Sequence, residues 1–160
     1  MQGIFGFILG ATFLPMVMLG MHQAFTPIYL LQLDQLGHIT IIASLMMAGG
    51  ANIGAAIAIY FKAKSIGHTS LQRIIKGSIP SAILGIHEPL IYGMTLPIMI
   101  SFVPIGIGGG IGGAYCILAN VLAISFGPST LLGVTTMQPD SMINYLIGLL
   151  ISCVVSILAT

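Results

Sequence analysis

Charge is what this sequence most lacks. Of its 160 residues only four are Lys or Arg and three are Asp or Glu, while 57% are hydrophobic and the mean hydropathy is +1.11. A soluble domain carries about a quarter charged residues. This chain could not cover a water-facing surface, so its solvent is largely lipid. A net charge of +1 gives no argument for nucleic acid, and none is expected as a partner. Cysteine is nearly absent too. Cys116 and Cys153 lie inside apolar runs without metal-ligand spacing and read as small packing residues, so neither a metal nor another cofactor is expected. The first apolar run lacks a basic leader and is too long for a signal-peptide core, so no cleavable signal is expected. No soluble domain or charged tail is seen at either end.

What is present is a series of long apolar runs. In a membrane the count goes by spans of roughly 20 residues each. Gly3 to about Leu31 is one run, interrupted by Pro15 and Pro27, which should kink a helix. The polar patch Gln32 to His38 reads as a short loop, and a second span runs from Ile39 to about Phe61, with Gly50 and Gly54 at a spacing that allows close helix contact. All four cations, Lys62, Lys64, Arg73 and Lys76, fall in one stretch, which the positive-inside rule places in the cytoplasm. Parity then puts the 32–38 loop outside. Gly77 to Pro97 is apolar at both ends but broken by Gly85-Ile86-His87-Glu88-Pro89. Arms of roughly ten residues cannot cross a core of about 30 Å. A re-entrant helical hairpin with its broken tip facing a cavity resolves this. Met99 to Phe126 and Ser141 to Leu158 are further spans, joined by an outside loop. The expected fold is all-α, with about four transmembrane helices plus one re-entrant hairpin, and both termini cytoplasmic.

Glu88 is the most informative residue. A carboxylate at membrane depth costs about 3 kcal/mol on insertion scales, so such residues face a wet cavity and are functional by default. It can accept hydrogen bonds from sugar hydroxyls or act as a base toward one. His87 beside it either binds substrate or satisfies a backbone carbonyl at the break. His22, with Gln23, lies deep in the first run and is a further candidate. Asn52 is a weaker one, since an interhelical hydrogen bond would also explain it. Gly108 to Gly113 fits a dinucleotide-binding spacing without any strand context, so close helix packing is the better reading. His87-Glu88 lacks the second histidine of a zinc protease motif, and no nucleophile elbow accompanies any Ser/His/Asp set.

The run Gly85-Ile-His-Glu-Pro-Leu-Ile-Tyr-Gly-Met-Thr-Leu-Pro97 resembles the GITEPxIYG signature of enzyme IIC. That is the sugar-permease component of the bacterial phosphoenolpyruvate-dependent phosphotransferase system, glucose/glucoside superfamily. Gly20-Met-His22-Gln23, Ala48 to Ala56, Gly109 to Gly113 and Phe126-Gly-Pro-Ser129 are similar to further family motifs and follow in the family's order. His22 to Tyr29 and Glu88 to Pro97 lean toward the N-acetylmuramic acid, sucrose and β-glucoside branch.

The resemblance implies a function. Enzyme IIC binds a sugar from outside, shifts it inward in an elevator-like movement, and presents a hydroxyl to the phosphocysteine of enzyme IIB. Carried over, Glu88 and His22 are the catalytic pair, and His22, Gln23, Asn52, His87 and Glu88 form the substrate-binding set. The expected partners are lipid, an enzyme IIB phosphocysteine domain, and a sugar of the N-acetylmuramic acid, sucrose, trehalose or β-glucoside type. The location would be the bacterial cytoplasmic (inner) membrane. His87 stands where relatives have Thr or Gly, and Ile98 to Ser101 stand where relatives often carry basic residues. A family IIC is about twice this long, so residues 1–160 are expected to be its C-terminal, substrate-binding half, without IIB or IIA. It would be a fragment, a split-gene product or a degraded copy, inactive without the N-terminal scaffold half and homodimeric when complete. A proton-coupled or facilitative transporter and a non-transporting remnant are the alternatives.

Overall fold

A backbone in lipid can satisfy its polar groups internally only as a helix or a closed barrel. This chain takes the first course. The computed structural model describes residues 1–160. Three helical segments are long and apolar enough to cross a membrane. They are α3 (Ile42–Ser65), Met99–Leu118 containing α6 (Phe102–Leu118), and Pro139–Ala159 containing α8 (Met142–Ala159). The first apolar run supplies a shorter helix, α1 (Gln2–Met18), and then α2 (Thr26–Leu36). The expected all-α membrane fold is therefore present.

Glycines place α6 at the centre. Each would weaken an isolated helix by about 1 kcal/mol relative to alanine. Here they let backbones meet. Gly109 and Gly113 lie against Gly10 and Gly6 of α1 and against Ala48 and Ser44 of α3, while Gly108 and Gly112 lie against Ser152, Ser156 and Gly148 of α8. Gly54 of α3 meets the Cys153 backbone of α8, the close contact its spacing implied. These pairings make α1, α3 and α8 mutually parallel and α6 antiparallel to all three.

The two ends of the bundle follow. At one, the Lys62 ammonium donates to the Thr160 carbonyl, and Pro104 of α6 is nearby. At the other, Gly3 packs on Leu118. The termini therefore lie at opposite ends, and the expectation that both share one face is corrected. The reason is a reversal inside the first run. Gly20, at φ 73°, ends α1 in a conformation natural to glycine, and a tight 3-10 turn (Met21–Phe25) follows. Then α2 runs back, with Leu33 packed on the Ile39–Ile41 cluster and the Gln32 side-chain oxygen accepting from the Thr40 N–H at 3.0 Å. The prolines do not make the turn. Pro15 sits within α1, and Pro27 occupies the first turn of α2, where a missing N–H leaves nothing unpaired. The patch expected as a loop is helical as far as Leu36.

The re-entrant hairpin is present. Its rising arm, α4 (Thr69–Ile83), starts where the His68 ring accepts from the Leu71 N–H at 3.3 Å. It leans on α3 through Ile75 and Ala82. The chain breaks over Leu84 to His87, with Gly85 at φ 96°. The falling arm is the single turn α5 (Glu88–Leu90) continued by a π turn, Ile91–Thr95. The segment after α6 is more than the outside loop expected. It pairs with Ile39 through Ala123, then dips back as the short α7 (Thr130–Gly133) until Thr130 is fully enclosed. Three elements thus point into the bundle: the α1–α2 reversal, the 85–88 tip and the 126–130 turn.

Candidate functional site

Those three elements enclose a cavity of about 460 Å³. Phe13, Val17, His22, Gln23, Thr26 and Tyr29 come from the α1–α2 reversal, and Leu45, Met46 and Gly49 from α3. Gly85, His87 and Glu88 come from the hairpin tip, and Phe126 to Ser129 from the returning turn. A second cavity of about 380 Å³ adjoins it, and His22 and Glu88 line both. The first volume is in the range of small-molecule sites, roughly 300–1,000 Å³.

The polar groups converge on this space. Glu88 is exposed to the cavity and is the one carboxylate lining it. The Gln23 side-chain nitrogen lies 3.2 Å from His22 Nε2, and Thr26 Oγ1 donates to Gln23 Oε1 at 3.4 Å. An amide nitrogen can only donate, so Nε2 accepts and the proton sits on Nδ1, an assignment that follows from the network. That Nδ1 is buried and without a partner in the chain. His87 is 8% exposed, and neither of its ring nitrogens has a partner. Buried polar atoms are normally paired, and an orphan costs about 1–3 kcal/mol. These nitrogens are covered, so a polar ligand in the cavity would satisfy them only as the His22 or His87 ring turns toward it.

Aromatic rings supply the rest of the wall. Phe13 stands edge-on to His22 with centroids 6.4 Å apart, and Phe25 stacks on Tyr29 at 6.2 Å. Tyr29 in turn lies 6.4 Å from Phe126. A mixed wall of aromatic faces and a few hydrogen-bonding groups suits a ring with one apolar face and many hydroxyls. Packing accounts for the glycine at position 49: a Cβ there would lie 2.6 Å from His87 Nε2, so the imidazole occupies the slot glycine leaves.

Of the residues singled out from sequence, His22, Gln23, His87 and Glu88 are brought together here. Asn52 is not. It is fully buried, and its Oδ1 accepts from Thr95 of the hairpin's falling arm at 2.8 Å, away from both cavities. That bond ties α3 to the hairpin, and the Asn52 Nδ2 is left without a partner. Sequence reasoning missed Phe13, Gly49 and the inward turn at Phe126 to Ser129. The signal for the last was Phe126-Gly-Pro-Ser129 itself, a family-like motif placed in an outside loop.

Comparison with known proteins follows this geometry. The family described as "Phosphotransferase system, EIIC" matches residues 1–109. A "PTS system MurNAc-GlcNAc-specific EIIBC component" of Staphylococcus haemolyticus (strain JCSC1435) is 43% identical over 150 residues, covering 92% of this chain and 31% of that protein. The protein of the same description from Staphylococcus aureus (strain USA300) is 42% identical over 150 residues, with the same coverage. The "Putative PTS system EIIBC component YbbF" of Bacillus subtilis (strain 168) is 42% identical over 147 residues, covering 92% of this chain and 32% of that protein. The chain thus spans about a third of the length of the curated relatives it matches. No solved structure matches it.

Proposed function

Since this chain belongs to the phosphotransferase system EIIC family, we propose that it binds a sugar in the membrane and presents a hydroxyl to a phospho-IIB partner. Residues 1–160 are the substrate-binding half of that permease, working with a scaffold half and a IIB domain in a dimeric assembly. One observation carries the reading: Glu88 and His22, far apart in sequence, line the same two cavities beside unpaired buried nitrogens.

The chemistry follows from the groups. Glu88 accepts a hydrogen bond from the sugar hydroxyl and takes its proton as that oxygen attacks phosphorus. A P–O bond forms, the P–S bond to the IIB cysteine breaks, and the thiolate leaves. Such transfers need mostly positioning and charge stabilisation. The His22 ring, turned so that its buried Nδ1–H reaches the cavity, donates to a sugar oxygen and fixes its orientation, and Gln23 and His87 contribute further bonds. The aromatic wall receives the apolar ring face. The relatives named for MurNAc-GlcNAc favour an N-acetylated amino sugar.

The direct test is the chemical form of the sugar delivered. Membranes carrying the complete assembly should yield sugar phosphate only when phospho-IIB is present. Accumulation of free sugar without IIB would replace this reading with proton-coupled or facilitated transport.

The orientation we propose places the lysine end in the bacterial cytoplasm. In a variant lacking Cys116 and Cys153, Ser65→Cys should resist an impermeant maleimide in intact cells, whereas Gln35→Cys should react. The reverse pattern would invert the topology.

A further inference from the structure

The hairpin tip carries Glu88 and His87. It is tied back to its own arm by the Gly85 N–H, which donates to the Ala82 carbonyl at 3.0 Å, and by the Ile86 N–H, which donates to that of Ser81 at 2.9 Å. Few polar contacts fix that arm's end to the rest of the bundle. Both His87 ring nitrogens are unpartnered, and the Ser129 hydroxyl reaches the Gly85 carbonyl only at 3.5 Å. The close polar contact comes from Thr130. Its hydroxyl lies 2.8 Å from the Ala82 carbonyl and 2.9 Å from that of Ile83, the last two residues of α4. It also lies 2.8 Å from the Ser129 carbonyl, so one proton is shared among three acceptors. Carbonyls at a helix end lack partners further along the helix, although that of Ala82 also accepts from the Gly85 N–H at 3.0 Å. Here a side chain from a turn nearly fifty residues away covers them.

Thr130 is held in turn. Its carbonyl accepts from the Tyr145 hydroxyl of α8 at 2.8 Å. Its methyl group borders the slot at Gly49 that holds the His87 ring. The neighbouring backbone touches the tip, since a Cβ on Gly85 would lie 2.7 Å from the Ser129 carbonyl oxygen. The residue is 1% exposed and adopts φ 53°. For a β-branched residue that is an outlier, of the kind that persists only where the surroundings over-determine it. A glycine or asparagine would take this conformation without strain, but neither offers the hydroxyl.

We infer that Thr130 is the positioning residue of the site: it clasps the end of α4 to α8 and so fixes Glu88 and His87 against the cavity. The sugar-affinity arm of this inference rests on the function proposed above, whereas the clasp itself does not. Two measurements separate them, made on the permease assembled from this chain and its scaffold half in lipid nanodiscs, with Cys116, Cys153 and any scaffold cysteine replaced. In the first, spin labels at Ile86→Cys on the tip and Ile143→Cys on α8 report the tip's distance distribution without sugar. It should be narrow with Thr130 and with Thr130→Ser, which keeps the hydroxyl, and broad with the near-isosteric Thr130→Val. In the second, binding of radiolabelled N-acetylmuramic acid should weaken about tenfold in Thr130→Val and stay within about twofold in Thr130→Ser. A distribution as narrow in Thr130→Val as in the parent would overturn the clasp. Equal affinity of the serine and valine variants would overturn its role in the site. A tip that loosens as expected in an assembled permease that binds no sugar at all, even with Thr130 in place, would instead count against the proposed function and leave the clasp standing.

Discussion

Glu88→Gln should abolish sugar phosphorylation in the complete permease while leaving membrane insertion and folding intact. The substitution is nearly isosteric. It keeps one acceptor oxygen, adds an amide donor, and removes both the charge and the ability to take a proton. Loss of a positioned general base costs typically 10²–10⁴-fold in rate, and a fall of about a thousandfold is expected here. The fold should not notice, because Glu88 faces the cavity rather than the core, whereas its neighbour Leu90 is the residue that packs. Glu88→Asp should recover part of the rate, since the carboxylate is kept but drawn back by one methylene. The measurement is phosphorylation by phospho-IIB, with sugar binding assayed separately to divide the loss between affinity and turnover. Normal phosphorylation by Glu88→Gln would remove Glu88 from the mechanism.

The largest effect on folding should come from a residue without a side chain. Gly10→Val would drive a branched side chain into the backbone of α6, because a Cβ at Gly10 already falls on the Gly109 carbonyl oxygen, 2.7 Å from its carbon. The Ser44 carbonyl of α3 stands 3.2 Å away on the other side. Overpacking costs about 1–3 kcal/mol where side chains can yield. Two helix backbones cannot, so a loss of about 3 kcal/mol or more is expected. The damage should reach the site, because α1 leads directly into the His22 turn and carries Phe13 and Val17 of its wall. Gly77→Ala provides the contrast. Gly77 is exposed within α4, and nothing lies within 4 Å of a Cβ there, so alanine should stabilise by about 0.5–1 kcal/mol. Thermal melts followed by circular dichroism in detergent should show the two glycines moving in opposite directions. Equal shifts would mean that helix propensity, not backbone contact, governs these positions.

Much of this could be read along the chain, because much of it is local. Seven charged residues among 160 already demand lipid, and lipid demands backbones that bond to themselves. The break at Gly85 to Pro89 is equally local: proline and glycine flanking a charged pair cannot continue a helix in hydrocarbon. Hence the hairpin and Glu88 were legible. His22 was legible for the same reason, as a polar group where polarity is costly.

Other features are set by contacts between distant segments, and no local pattern records those. The first run was long enough to cross and instead turns back at Gly20, because α1 finds the glycine face of α6 and α2 finds the start of α3. Asn52 looked much like His22, as a polar residue in an apolar helix. Its Oδ1 turns toward Thr95 and pairs there while its Nδ2 stays unpaired, and it lines neither cavity, whereas the His22 and His87 rings stand at the cavity wall. The sequence by itself determined the solvent, the helical class and the costly residues, since composition and chain breaks act within a turn or two. Only the tertiary structure decided which end each terminus occupies, which polar groups share a cavity, and that a buried threonine holds the tip. Those depend on glycine faces and hydrogen bonds that match across the fold.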